Sequence, residues 1–258
     1  STFIHSDGRF YSLSSDGEHS RLAQERLSKE QRARRYRPIA RFMAHLIRRF
    51  PFVRGVCVSG ELSKGVASAN GDIDYLIITA NDRLWVARTL LILFKKIFLL
   101  NRKKFLCLNH FVSERSLESR NRSPYAALEI ATLIPLTDYD RYLAYQSANF
   151  WVREHLPNFE MNSGDWLIKF NHGSLIQRAL ELPLRGRFGD KLDATLKDYW
   201  KQVWKRRYPG YTEEQRTSLF QCETDVSTSY VGDFLPKIMN EYRLRLEAFH
   251  LERSSEGV

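Results

Sequence analysis

Apolar and polar positions alternate along this chain in blocks that predict its elements. The run Val53–Ser59, VRGVCVS, is rich in valine and too short for a buried helix, which predicts a buried strand. Gly60 closes it, and a short helix is predicted directly after. A second buried strand is predicted over Asp72–Thr79 and a third over Phe105–Val112, FLCLNHFV. Between them, Trp85–Leu99 repeats apolar residues at helical spacing. Ahead of the strands, residues 2–13 predict two short extended pieces around the turn Ser6-Asp7-Gly8. Residues 19–49 read as helical, with Leu22, Leu27, Ile39, Met43 and Ile47 among many basic residues, and Pro38 is expected to start a second helix there.

The period changes near Pro135. Helices are predicted over Asp138–His155, Asp165–Leu182, Asp190–Arg207 and Leu235–Leu251, with breaks at Pro157, Gly186 and Pro209-Gly210. Cys222–Ser229, CETDVSTS, reads as a polar loop whose acidic residues could line an acceptor pocket. No internal repeat or low-complexity run is present. The pattern predicts an α+β fold, with a mixed-sheet domain over 1–135 and an all-helical domain over 136–258.

Composition narrows the function classes. With 258 residues, 43% hydrophobic and 13% aromatic, the chain has the apolar content for a packed core rather than wholesale disorder. A formal net charge of +10 favours an anionic partner: a nucleotide, a nucleic acid such as RNA, or an acidic membrane surface. Cys57 and Cys107 sit in apolar runs and, with Cys222, show no zinc spacing, which together with the lack of a signal-peptide pattern predicts a reducing, cytoplasmic setting. The most apolar window, Leu84–Leu100, is interrupted by Arg88, Lys95 and Lys96 and falls short of a membrane span. A core helix is expected there, with a basic membrane-surface helix as the alternative.

The candidate chemistry lies between the first two strands. Residues two apart on a strand share a face, so Asp72 and Asp74 should project together at the start of the second strand. Paired carboxylates are unfavourable unless a cation lies between them, and Mg²⁺ held by one or two carboxylates plus substrate phosphates is the usual solution. The turn at Gly60 should leave the amides of Glu61, Leu62 and Ser63 as unpaired donors suited to phosphate. The Ser63 hydroxyl and the Lys64 ammonium would add to that cradle.

An apolar strand, Val58-Ser59-Gly60-Glu61, a short helix, and then Asp72-Ile73-Asp74 resembles the signature of the nucleotidyltransferase superfamily typified by DNA polymerase beta. The resemblance covers about residues 53–112. It implies a nucleotidyltransferase-like fold in which Asp72 and Asp74 hold Mg²⁺ (Mn²⁺ as a substitute) and the turn with Ser59 and Gly60 holds the triphosphate of a nucleoside triphosphate such as ATP. The implied reaction moves a nucleoside monophosphate to an acceptor hydroxyl on a small molecule, a protein or an RNA and releases pyrophosphate. Glu61 stands where the family has a small residue, so its carboxylate should point away or pair with Lys64. At the position of the family's third carboxylate stands Asn109, a weak, uncharged ligand, with Glu114 and Glu129 as alternatives. A nucleotide- or RNA-binding protein with weakened catalysis is the second reading.

Other residues carry weaker signals. Arg88, on the helix after the second strand, is a candidate phosphate ligand, against the plainer reading of a paired or solvated arginine. Arg102, Lys103 and Lys104 form a basic tip, and His110 faces away from Asn109 as a core histidine. Ser59 and Ser63 lack the context of a serine hydrolase. Trp200 and Trp204, among Lys201, Lys205, Arg206 and Arg207, could stack RNA bases, but their spacing of four fits a core stripe.

Overall fold

The structure is a computed structural model, and it describes residues 4–12, 16–101, 104–168, 175–213, 216, 220–229 and 234–255. A small hairpin, β1 (His5–Ser6) and β2 (Tyr11–Ser12), turns on Asp7, whose carboxylate accepts from the amides of Arg9 and Phe10. Helix α1 (Asp16–Ile47) follows, then β3 (Val53–Ser59), α2 (Gly60–Ser63), β4 (Asp74–Thr79), α3 (Leu84–Phe98), β5 (Cys107–Ser113), α4 (Pro124–Ala131) and β6 (Ile134–Thr137). The rest comprises α5 (Tyr139–Ala148), a 3₁₀ turn (Phe150–Glu154), α6 (Leu175–Glu181), a second 3₁₀ turn (Leu182–Leu184), α7 (Arg187–Arg207), β7 (Val226–Thr228) and α8 (Phe234–Ser255).

Five strands form one mixed sheet in the order β6-β3-β4-β5-β7. Only the β4–β5 pair is parallel, and α3 supplies its crossover. The near-continuous apolar runs have a simple cause, because both faces of the sheet are covered. Val56, Val58, Tyr75, Ile77 and Phe111 point into a core shared with α1, α3 and α7. Cys57, Leu76, Ile78 and Val112 point into a second core shared with α4, α5 and the turn at Trp151. Successive residues of β3 and β4 thus alternate between the two cores, as the pleat requires.

The expected α+β class with a mixed sheet is present. Several boundaries differ. Pro38 lies inside the continuous helix α1 and does not start a new one. Its missing N–H is tolerated because Ala33, Tyr36, Ala40, Met43 and Ile47 pin both flanks to the core. Of the expected helix Asp165–Leu182, the described residues show an α-helix over Leu175–Glu181; Ile168 instead donates to the carbonyl of Leu136, and 169–174 lie outside the described residues. The division at 135/136 falls inside β6, and Val226–Thr228, expected as loop, forms the edge strand of the same sheet. The second half is therefore not all-helical, and it packs onto the sheet through α7.

Candidate active site

β3 and β4 run antiparallel with Ser59 opposite Asp74, so the end of one and the start of the other meet at the same edge of the sheet. Gly60 turns the chain there at φ +67°, a left-handed backbone that favours glycine. A Cβ on it would also overlap the Asp74 Oδ2. The turn after β3 is thus pressed directly against the Asp74 carboxylate. Asp72 precedes the strand, with Ile73 fixed between the two carboxylates by a bond from its amide to the Lys104 carbonyl (3.0 Å) and by accepting from the Cys107 amide (3.0 Å). Ile73 is fully buried, while Asp72 and Asp74 on either side of it are half-buried; the strand begins at Asp74 and not at Asp72 as expected, because only from Asp74 on do the residues pair with β3.

The Asp74 carboxyl is pushed up to about 6. Burial is the main cause, opposed by a hydrogen bond to the Cys107 thiol, and the charges of Asp72 and Glu129 add to it. Burial and then the same two aspartates push that thiol up to about 12, so it stays a neutral donor. From β5, the Asn109 Nδ2 donates to the Asp74 Oδ1 at 2.9 Å. It reaches because β4 and β5 are parallel, with an irregular register between Asp74 and Leu76.

The cradle side is built around Lys64. Its Nζ donates to the Gly60 carbonyl (2.9 Å) and to the Glu129 Oε1 (2.7 Å), and the Gly60 amide donates to the Glu129 Oε2 (3.3 Å). The Ser63 hydroxyl donates to the Gly60 carbonyl at 2.9 Å, and Ser59 makes no capping bond with its side chain. Glu61 turns away: its carboxylate accepts from the Ser68 amide (2.7 Å) and hydroxyl (2.6 Å). Glu61 therefore places no negative charge against Lys64.

Of the residues singled out in the sequence, Asp72, Asp74, Ser59, Gly60, Ser63, Lys64 and Asn109 converge here, and Glu129 joins them from α4. Arg88 does not. It is 3% exposed on the inner face of α3, with its guanidinium 5.0 to 5.9 Å from the ring centres of Trp85, Phe111, Trp200 and Trp204. Burial lowers it to about 9. It is a core cation and not a phosphate ligand, because α3 faces α7 and the sheet on that side. Glu114 also lies elsewhere: its amide donates to the carbonyl of Thr79, the far end of β4, and its carboxylate pairs with Arg141 at 2.7 Å. Trp200 and Trp204 are buried beside Trp85, so their faces cannot stack RNA bases. His110 is held neutral, its imidazole lowered to about 4 by burial. Lys104 is exposed, while 102–103 lie outside the described residues.

Two contributors were not picked out in advance. Cys107 reads in the sequence as inert core. Tyr125 is pushed up to about 12 by burial and by the Glu129 charge it hydrogen-bonds. The i, i+4 pair Tyr125 and Glu129, on a helix opened by Ser123-Pro124, was the available signal. Among the described residues no three of His, Cys, Asp and Glu converge as a metal cage. What the site holds is the pair of carboxylates Asp72 and Asp74, with Asn109 turning its amide nitrogen rather than its oxygen toward Asp74.

Comparison of the chain with family models, curated proteins and solved structures finds no match.

Proposed function

We propose that the chain is a metal-dependent nucleotidyltransferase, transferring a nucleoside monophosphate from a nucleoside triphosphate to an acceptor hydroxyl. One observation carries the reading: a partly desolvated Asp74, raised to about 6 and facing Asp72 and Glu129, is held against the glycine turn that bears Lys64. Lys64 is the one cation set against these carboxylates and it is already paired with Glu129, so a divalent cation beside Asp72 and Asp74 would stabilise the cluster further. The order helix, strand, helix, strand, helix, strand over α1 to β5 also supports the family resemblance at Gly60 and Asp72-Ile73-Asp74.

Asp72 and Asp74 would hold the Mg²⁺, with the Asn109 amide beside them. Such an ion supplies charge neutralisation at the phosphates and at the attacking oxygen. The protein's own share is positioning. Gly60 sets the turn, Ile73 anchors the two aspartates, and Asn109 orients the Asp74 carboxylate by donating to Oδ1. Lys64 brings a cation whose present partner is Glu129, so polyphosphate would compete with that carboxylate for it. Positioning and charge compensation account for most catalysis of phosphoryl transfer, so a sparse residue set suffices.

A second reading rests on Asn109. It occupies the place of a third carboxylate but brings no charge and no base, which suits a nucleotide-binding protein of weakened turnover. Incubating the protein with nucleoside triphosphates, Mg²⁺ and a panel of acceptors separates the two. Pyrophosphate release that is lost in Asp72→Asn supports the transferase. Mg²⁺-dependent nucleotide binding with no release across the panel supports the binding protein, and no Mg²⁺-dependent binding at all removes both.

A further inference from the structure

Helix α6 is built with its polarity reversed. Its inward residues are Gln177 (2% exposed) and Glu181 (3%). The Gln177 amide donates to the Phe50 carbonyl at 2.9 Å. The Glu181 carboxylate accepts from the Phe52 amide (2.7 Å) and from both Nη1 (2.8 Å) and Nη2 (3.0 Å) of Arg54. These bonds fix the rotation of the helix about its axis. Its large outward residues besides Arg178 are apolar, Leu175 (82% exposed), Ile176 (72%) and Leu180 (53%), and they are followed by Leu182 (66%) in the next turn and Phe188 (65%) at the start of α7. A single exposed leucine needs no explanation, but five large apolar residues over one helix and its exit mark a contact surface.

We propose that this face docks the protein onto an anionic lipid surface. Arg178, Arg185 and Arg187 are exposed among the apolar residues. The one carboxylate of residues 175–188 is Glu181, which is buried, and the neighbouring Asp190 pairs with Arg83. Arg185 reaches Glu181 only at 3.7 Å and stays largely exposed. In the adjoining cleft, about 640 Å³, Arg48, Arg54 and Arg141 are paired with Asp138, Glu181 and Glu114, so the positive charge of this face is that of the exposed Arg178, Arg185 and Arg187. An apolar face ringed by arginines matches the boundary between acyl chains and acidic headgroups, where apolar burial and charge attraction act together. A second copy of the chain fits worse. A twofold contact sets the same patch on both sides, which brings the arginines against their own copies. No helix among the described residues is long and apolar enough to cross a membrane, so the attachment is peripheral.

The test is co-sedimentation of the full chain with vesicles of phosphatidylcholine alone and of phosphatidylcholine mixed with phosphatidylserine. The wild type should sediment with the acidic vesicles, and the fraction bound should fall as salt rises. Ile176→Asp/Leu180→Asp should weaken that partition at least ~10-fold, since both the apolar contact and the sign of the charge are lost. Arg178→Glu/Arg187→Glu, which leaves the apolar residues in place, should also weaken it. Unchanged unfolding midpoints show that both variants are folded. The proposal is overturned if the wild type stays in the supernatant with acidic vesicles, if it binds neutral vesicles equally well, or if both variants sediment like the wild type. Self-association in sedimentation velocity that Ile176→Asp/Leu180→Asp abolishes, without vesicle binding, would instead assign the face to a second copy.

Discussion

If Asp74 is held in an unfavourable setting for the sake of a ligand, removing its charge should stabilise the protein. The carboxyl sits at about 6 in the folded chain against 3.8 for its ordinary value, with burial as the first cause. A carboxyl raised on folding gives full stability below its unfolded pKa and loses it as pH rises through the folded one. The loss therefore falls between about pH 4 and pH 6. At ~1.4 kcal/mol per pH unit, that interval bounds the penalty at ~3 kcal/mol. Asp74→Asn keeps the shape and an oxygen for the Asn109 donor while deleting the charge. Urea unfolding at about pH 8 should show the variant more stable by ~1–3 kcal/mol, with the gap closing near pH 4. Asp193 is raised to about 6 by burial as well, so the wild-type curve alone mixes two groups, and the difference from Asp74→Asn isolates one. Mg²⁺ with nucleotide should raise the wild-type midpoint and leave that of the variant unchanged. A variant that is less stable than wild type at both pH values would refute the reasoning, because Asp74 would then be a structural anchor and not a strained ligand.

Gly60→Ala meets both a left-handed φ and the Asp74 Oδ2, so it should cost ~2–4 kcal/mol by urea unfolding; a cost under ~1 kcal/mol would show that the turn does not press on the carboxylate. Glu129→Gln weakens the hold on Lys64 and should tighten Mg²⁺-nucleotide binding ~3–10-fold by calorimetry, about 1 kcal/mol. Equal or weaker binding would make Glu129 a ligand and not a competitor. Arg88→Met replaces a buried cation that has no carboxylate partner among the described residues with an apolar side chain of similar reach. It should leave nucleotide affinity unchanged and unfolding within ~1–2 kcal/mol of wild type, on either side; lost nucleotide binding with an intact midpoint would return Arg88 to the phosphate site.

The sequence was legible where local pattern and global packing agree. The strands around Val56 and Ile77 are dense in β-branched and apolar residues because both faces of the sheet are buried, and the turn at Gly60 is announced by its glycine. The short edge strands were not legible. Ile134–Thr137 contains Pro135, which argues against a strand but is tolerated at an edge, and Val226–Thr228 has only three residues. Arg88 misled because a cation at the start of a helix after the second strand fits a phosphate ligand. Half of its box, Trp200 and Trp204, comes from α7, more than a hundred positions away. Glu129 was visible only as one of two acidic alternatives to Asn109, since what selects it is the packing of α4 against the glycine turn.

The same distance in the fold separates the two proposed properties. Helix α6 is bolted to Phe52 and Arg54, where β3 begins, whereas the carboxylates lie past Ser59, where it ends. Seven strand residues at ~3.3 Å each put ~20 Å between the two ends. A lipid surface met by α6 would therefore lie well beyond the Debye length of ~8 Å from Asp74, and its charge would barely alter the ionisation of the site. The aspartate and Glu129 variants thus read the polyphosphate chemistry, the α6 variants read attachment, and either property can fail alone. Had the exposed leucines sat beside Gly60 instead, a single hydrophobic substrate could have explained both features, and placement at the two ends of one strand is what argues against that economy.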